Sequence, residues 1–83
     1  MIHTSNDKLR FDLVTELLKG LEEEKPIDKT LISAEKLFTK DLSDKIIIES
    51  KQRITALKQS YIQQKIKEDE AKTEISNILL ILT

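Results

Sequence analysis

Apolar residues recur at helical spacing through most of this chain, and the longest such run covers residues 43–82. Ile47, Ile54, Tyr61, Ile75 and Leu82 are separated by multiples of seven, and Leu57, Ala71 and Ile78 fall three residues after positions of that series. This 3-4 spacing is what a helix with one buried stripe requires. The stripe turns polar at Gln64 and Glu68. The run is therefore either one long helix with a flaw or two helices folded back over QQKIKEDE.

Upstream, Leu9, Leu13, Leu17 and Leu21 form an i, i+4 row. Phe11, Val14 and Leu18 widen it to a stripe of more than about 100°. A first helix is expected over residues 7–24, with the Thr4 hydroxyl, three residues before Asp7, placed for a short capping box. Gly20 weakens its last turn by roughly 1 kcal/mol relative to Ala. Glu22, Glu23 and Glu24 sit where the helix dipole disfavours them, so this end is expected to fray. Pro26 pushes Lys25 out of the helical region, and Asp28 suits the N-cap of a second helix over 29–40. Leu31, Ile32, Ala34, Leu37 and Phe38 form its apolar face. A softer break at 39–43 offers Leu42 as a staple residue and Ser43 as the N-cap of a third helix over 44–65. A fourth segment, 67–82, places Ala71, Ile75, Ile78, Leu79 and Leu82 on one side.

Composition narrows the fold class to all-α. With one Gly and one Pro in 83 residues, the chain lacks the turn chemistry that strands and hairpins need. A chain this short forms one domain, with residues 1–6 as a polar leader. It buries only about 60–65% of its unfolded surface, which leaves no room for a deep pocket beside the core. The absence of Cys excludes a disulfide scaffold and a thiolate metal site and fits a reducing cytosol. The longest apolar run, 78–82, falls far short of the roughly 20 residues of a spanning helix, and residues 1–7 do not read as a signal peptide. A soluble intracellular protein is expected.

Charge favours two helices over one in the 43–82 run. Residues 45–67 carry six basic side chains against Glu49 alone, a balance of +5. Residues 68–83 carry Lys72 against Glu68, Asp69, Glu70 and Glu74, a balance of −3. An acidic first turn is the mark of a helix N-terminus, and it begins where the stripe fails. Residues 1–44 also balance to −3, with seven basic and ten acidic side chains. A basic helix thus lies between acidic neighbours, which suits either a partner or internal pairing.

No catalytic constellation stands out. His3 is the lone histidine and has no second ligand at metal-binding spacing. The acidic cluster of 68–74 lacks the alternating oxygens and central Gly of a calcium loop. No phosphate loop can be built on Gly20 alone. The chain is expected to be non-enzymatic, without cofactor or metal. Candidate partner-binding residues come instead from two surface features. Lys51, Lys58, Lys65 and Lys72 repeat every seven residues, with Lys67 beside them. They form either a ridge for an acidic partner or anionic headgroups, or a flank that covers the core edge with methylene stems. The ILLIL segment at 78–82 is apolar all round, so Leu80 and Ile81 either complete a buried terminal helix or form an exposed patch. Tyr61 reads as a core-edge residue. Nucleic acid is disfavoured by the scarcity of Arg and a pI near 5.8.

The stretches ELLKGLEEEKPIDKTLISAEKLF and YIQQKIKEDEAKTEISNILLIL carry a resemblance. The first contains an acidic-to-lysine turn between two helices. The second runs from a Lys-Ile-Lys turn into a helix with Ile and Leu at 3-4 spacing. In this order the chain resembles the pediocin-like (class IIa) bacteriocin immunity proteins of Gram-positive bacteria. The resemblance implies an antiparallel four-helix bundle acting from the cytoplasm, and the lysine row leaves open peripheral contact with the inner face of the membrane. It implies recognition of a mannose-family sugar permease engaged by the bacteriocin, with the C-terminal half setting which bacteriocin is countered. A compact monomer is expected on this reading. The competing reading is a helical interaction module, a phage- or plasmid-encoded regulator, in which 43–82 stays continuous and pairs as a coiled-coil dimer. A third is a binder of anionic membranes through the lysine row, which would be salt-sensitive.

Overall fold

The computed structural model describes residues 5–38 and 44–83 and contains four helices: α1 (Ser5–Glu22), α2 (Ile27–Glu35), α3 (Lys45–Ile62) and α4 (Glu68–Leu82). No strand occurs among the described residues. Each helix packs on its two neighbours in the ring α1–α2–α3–α4, and α2 touches α4 only lightly across the diagonal. Neighbours run antiparallel. Gly20 near the end of α1 meets Thr30 near the start of α2. Glu35 at the end of α2 meets Thr55 on α3, and Arg53 of α3 meets Glu74 of α4. The fold is an antiparallel four-helix bundle. Its centre holds Leu13 and Leu17 from α1, Leu31 from α2, Ile54 from α3, and Ile75 and Ile78 from α4, all fully buried.

The helix ends differ from the sequence expectation in informative ways. α1 does not fray over its glutamates. Lys25 N–H donates to the Gly20 carbonyl at 2.9 Å and Glu24 N–H to the Leu21 carbonyl at 3.3 Å. This pair of bonds is a Schellman ending, and it requires the left-handed conformation that Glu24 adopts, at φ 52°. α2 begins earlier than expected, and its N-cap is Pro26 rather than Asp28. Thr30 N–H donates to the Pro26 carbonyl at 3.0 Å, so Asp28 falls in the first turn, where the dipole favours it. Proline suits a helix start because its φ is already set, and the early start buries Ile27 along with Leu31 and Ala34. The helix stops at Glu35. Leu37 and Phe38 donate back three residues, to Ala34 and Glu35, and reach the core from this tightened turn.

Asp44 caps α3, accepting from Ile46 N–H at 2.8 Å and Ile47 N–H at 3.4 Å. This replaces the expected cap at Ser43, which lies outside the described residues, as do Leu42, His3 and Thr4. The β-branched Ile46, Ile47 and Ile48 remain helical, with Ile47 fully buried; packing outweighs their lower propensity. The 43–82 run is two helices, and the reversal falls at the polar flaw around Gln64. Gln64 has φ 60°, its N–H donates to the Tyr61 carbonyl at 3.0 Å, and Lys65 N–H donates to the Ser60 carbonyl at 2.9 Å. This is a second Schellman ending, again without glycine. α4 then starts where its acidic turn predicted, with Lys67 N–H donating to Glu70 Oε1 at 3.2 Å.

Candidate functional site

The lysines do not form one ridge, because the α3–α4 turn interrupts their seven-residue repeat. Lys51 and Lys58 lie on α3, Lys65 and Lys67 in the turn, and Lys72 on α4. Lys58 is half-buried and pairs with Glu35 of α2, whose carboxylate also accepts from Thr55 Oγ1 at 3.1 Å. It acts as a stitch between helices. Lys72 pairs with Glu68 one turn back at 3.4 Å, an exposed contact of the kind worth about 0–1 kcal/mol. Lys51, Lys65 and Lys67 are exposed and make no ion pair among the described residues.

The ILLIL segment divides by face. Ile78 and Leu82 are buried, Leu79 and Ile81 are half-buried, and Leu80 is 74% exposed. Of the two residues singled out there, Leu80 is a surface residue and Ile81 is half-buried. Leu80 forms one wall of a shallow groove between α4 and α1, lined by Val14, Leu18, Ser76, Leu79, Leu80 and Thr83. None of these side chains is charged. Phe11, three residues before Val14 and seven before Leu18, lies on the same side of α1 and is 70% exposed.

Sequence reasoning placed Phe11, Val14 and Leu18 in the buried stripe; Val14 does pack, partly buried, against the core, but the structure corrects Phe11 and Leu18, which are exposed. α1 packs mainly on α2 and α4. The channel between them takes Leu13 and Leu17, flanked by Leu9 and Leu21, and the wider part of the stripe is left at the surface. The excess width was the available signal, since a helix with two neighbours cannot cover so broad an apolar arc.

A second cleft lies at the bundle end that carries the two hairpin turns. Asp28, Tyr61, Gln64, Ile66, Lys67 and Glu68 line it around Ile62, which is exposed. Tyr61 is half-buried at the core edge. At the other end, Arg10 Nη2 donates to Asp44 Oδ2 at 2.8 Å, tying the start of α1 to the start of α3. Desolvation acts to raise the Asp44 pKa. The Arg10 hydrogen bond, the Ile46 and Ile47 amides and the Arg10 charge together outweigh it and hold the carboxyl below its ordinary value.

Among the described residues, no group of three or more His, Cys, Asp or Glu side chains is arranged to hold a metal ion. No helix among them is long and apolar enough to cross a membrane. The α1/α4 groove therefore offers uncharged apolar surface, which suits binding. Neither a protein-family model, nor a curated protein, nor a solved structure matches the chain.

Proposed function

We propose that this protein is a non-enzymatic bacteriocin immunity protein, protecting a producer cell from a pediocin-like peptide. It would act from the cytoplasmic side on the peptide's complex with a mannose-family sugar permease. The observation that carries the reading is the uncharged α1/α4 groove with Leu80 standing out of it, an apolar patch of the type that marks protein contacts. The arrangement of four antiparallel helices, which the resemblance implied, supports it. Lys51, Lys65 and Lys67 would add peripheral contact with anionic headgroups at the inner face of the membrane.

The test is survival. Expressed in a bacteriocin-sensitive Gram-positive strain, the chain should raise the lethal dose of at least one pediocin-like peptide, and Leu80→Lys should reduce that protection. No gain against any such peptide would overturn the proposal. The competing interaction module keeps its apolar surface but loses the continuous 43–82 seam on which an elongated coiled coil depends, because the helix stops at Ile62.

A further inference from the structure

We propose that the N-terminal half of α1 is a hinged strap, which leaves the bundle as a unit and carries part of one wall of the α1/α4 groove with it. Such a device operates whatever fills the groove, so it goes beyond the immunity reading and does not depend on it.

The short α2 sets the position of the hinge. α2 has 9 residues, against 18 in α1 and 18 in α3. Gly20 of α1 lies against Thr30 of the antiparallel α2, and α2 stops at Glu35, five residues further on. At equal rise per residue, that end is level with about residue 15 of α1. The chain continues there as the turn of 36–38, from which Leu37 and Phe38 reach the core half-buried. The later part of α1 is thus gripped between α2 and α4, while the earlier part has α4 and that turn. Burial repeats the division. From Asp7 to Val14, Leu13 is the one fully buried side chain; Leu9, Arg10, Asp12 and Val14 are half-buried, and Asp7, Lys8 and Phe11 are exposed.

Arg10 supplies both a latch and a reason to open. Its bond to Asp44, at 2.8 Å, ties the strap to the start of α3. The two side chains are 32% and 19% exposed, so solvent reaches the pair and weakens it. Arg10 Nε is buried in the closed bundle and has no hydrogen-bond partner. Opening returns that donor to water, which narrows the gap between the closed and open states. Val14 belongs to the strap and Leu18 to the fixed half, and both line the groove. Opening therefore moves Val14, with Phe11 beside it, away from Leu79 and Leu80 of α4. An occupant that touches both walls holds the strap closed.

The chain has no Cys, so a single thiol at a core position reports release. Leu13→Cys and Leu17→Cys place it on either side of the hinge, at two fully buried positions. In full-length variants shown to be folded by circular dichroism, Leu13→Cys should react with dithionitrobenzoate about tenfold faster than Leu17→Cys, or more. Adding Asp44→Asn, which unlatches Arg10 but keeps the α3 cap, should speed Leu13→Cys about fivefold and leave Leu17→Cys unchanged. Hydrogen exchange of the unsubstituted chain makes the same comparison without a cavity. The amides of 9–14 should share one protection factor, about tenfold or more below that of 19–21. Equal thiol rates, an Asp44→Asn effect of the same size at both positions, or protection that rises smoothly from residue 9 to 21, as in ordinary end fraying, would overturn the proposal.

Discussion

The α1–α2 and α3–α4 hairpins close with the same kind of turn but are held together by different means. Both end their first helix in a Schellman arrangement with a non-glycine residue in the left-handed region, Glu24 in one and Gln64 in the other. The first hairpin then relies on close backbone approach. A Cβ on Gly20 would lie 2.5 Å from both Cγ2 and Oγ1 of Thr30 and 3.0 Å from its Cβ. The second hairpin contains no glycine and carries an ion pair between Arg53 and Glu74, 3.7 Å apart at partly exposed positions. One junction depends on a single steric clearance; the other packs through the buried Ile54, Leu57, Ala71 and Ile75, and its ion pair is replaceable. Each hairpin contributes one wall of the apolar groove, α1 from the first and α4 from the second.

The largest effect should come from the steric junction. On an exposed helix, Gly→Ala would add roughly 1 kcal/mol. At position 20 the new methyl collides with a β-branched side chain on a neighbouring helix. Turning Thr30 about χ1 brings another of its branches close and disturbs its hydrogen bond to the Pro26 carbonyl. Gly20→Ala should therefore cost about 1–3 kcal/mol in urea unfolding, and Thr30→Ala in the same chain should recover part of it, giving a coupled double-mutant cycle. A stabilised or neutral Gly20→Ala would show that the two junctions do not differ.

A second measurement follows acid stability at the end away from the turns. Asp44 titrates below its ordinary value in the folded state. Its contribution is thus present above the unfolded carboxylate pKa of about 3.9 and is lost as the pH falls through the lower folded value. Asp44→Asn keeps a good N-cap but removes the charge facing Arg10. The wild type should be more stable than Asp44→Asn at pH 6, and the difference should shrink toward pH 2 in paired urea titrations. A difference independent of pH would mean that the Arg10 clamp is inert.

The turns themselves should improve by similar amounts. A non-glycine residue in the left-handed region costs on the order of 1 kcal/mol, so Glu24→Gly and Gln64→Gly should each raise stability by about 0.5–1 kcal/mol. The gains should add, because the two turns make no shared hydrogen bond. A gain at only one of them would show that the turns are not equivalent. The smallest stability effect belongs to the groove. Leu80→Lys should shift the thermal midpoint by an amount equivalent to less than about 0.5 kcal/mol, since the side chain is mostly solvated, while the protection it gives cells falls. A large loss of stability there would make Leu80 a packing residue and remove it from any interface.

Much of this arrangement was legible along the chain, and the parts that were not share a cause. The four apolar stripes, the proline break and the acidic start of α4 are local features, and each produced a helix near its expected place. Gln64 was visible as a polar residue on an apolar seam, but nothing in its chemistry announces φ 60°; glycine usually marks such a position, and here it does not. Gly20 was read for its propensity, when its role is the clearance it leaves for Thr30 ten residues later. In the groove, Leu80 was identified from the all-round apolarity of 78–82. Phe11 and Leu18 were assigned to the core with Val14, which does pack there, because periodicity records which side of a helix is apolar and not how much of that side a neighbour covers.

By itself the sequence determined that the protein is helical, where its chain reverses and which stripe of each helix is apolar. These follow from spacing, from capping chemistry and from charge near the helix dipoles, all of which act within a few residues. Only the tertiary structure decided that the seven-residue lysine repeat would be split between two helices, that Lys58 would turn to Glu35, and that part of the α1 stripe would remain bare beside Leu80. Those outcomes depend on how many neighbours each helix acquires and at what distance, which is a property of the assembled bundle and of no single segment.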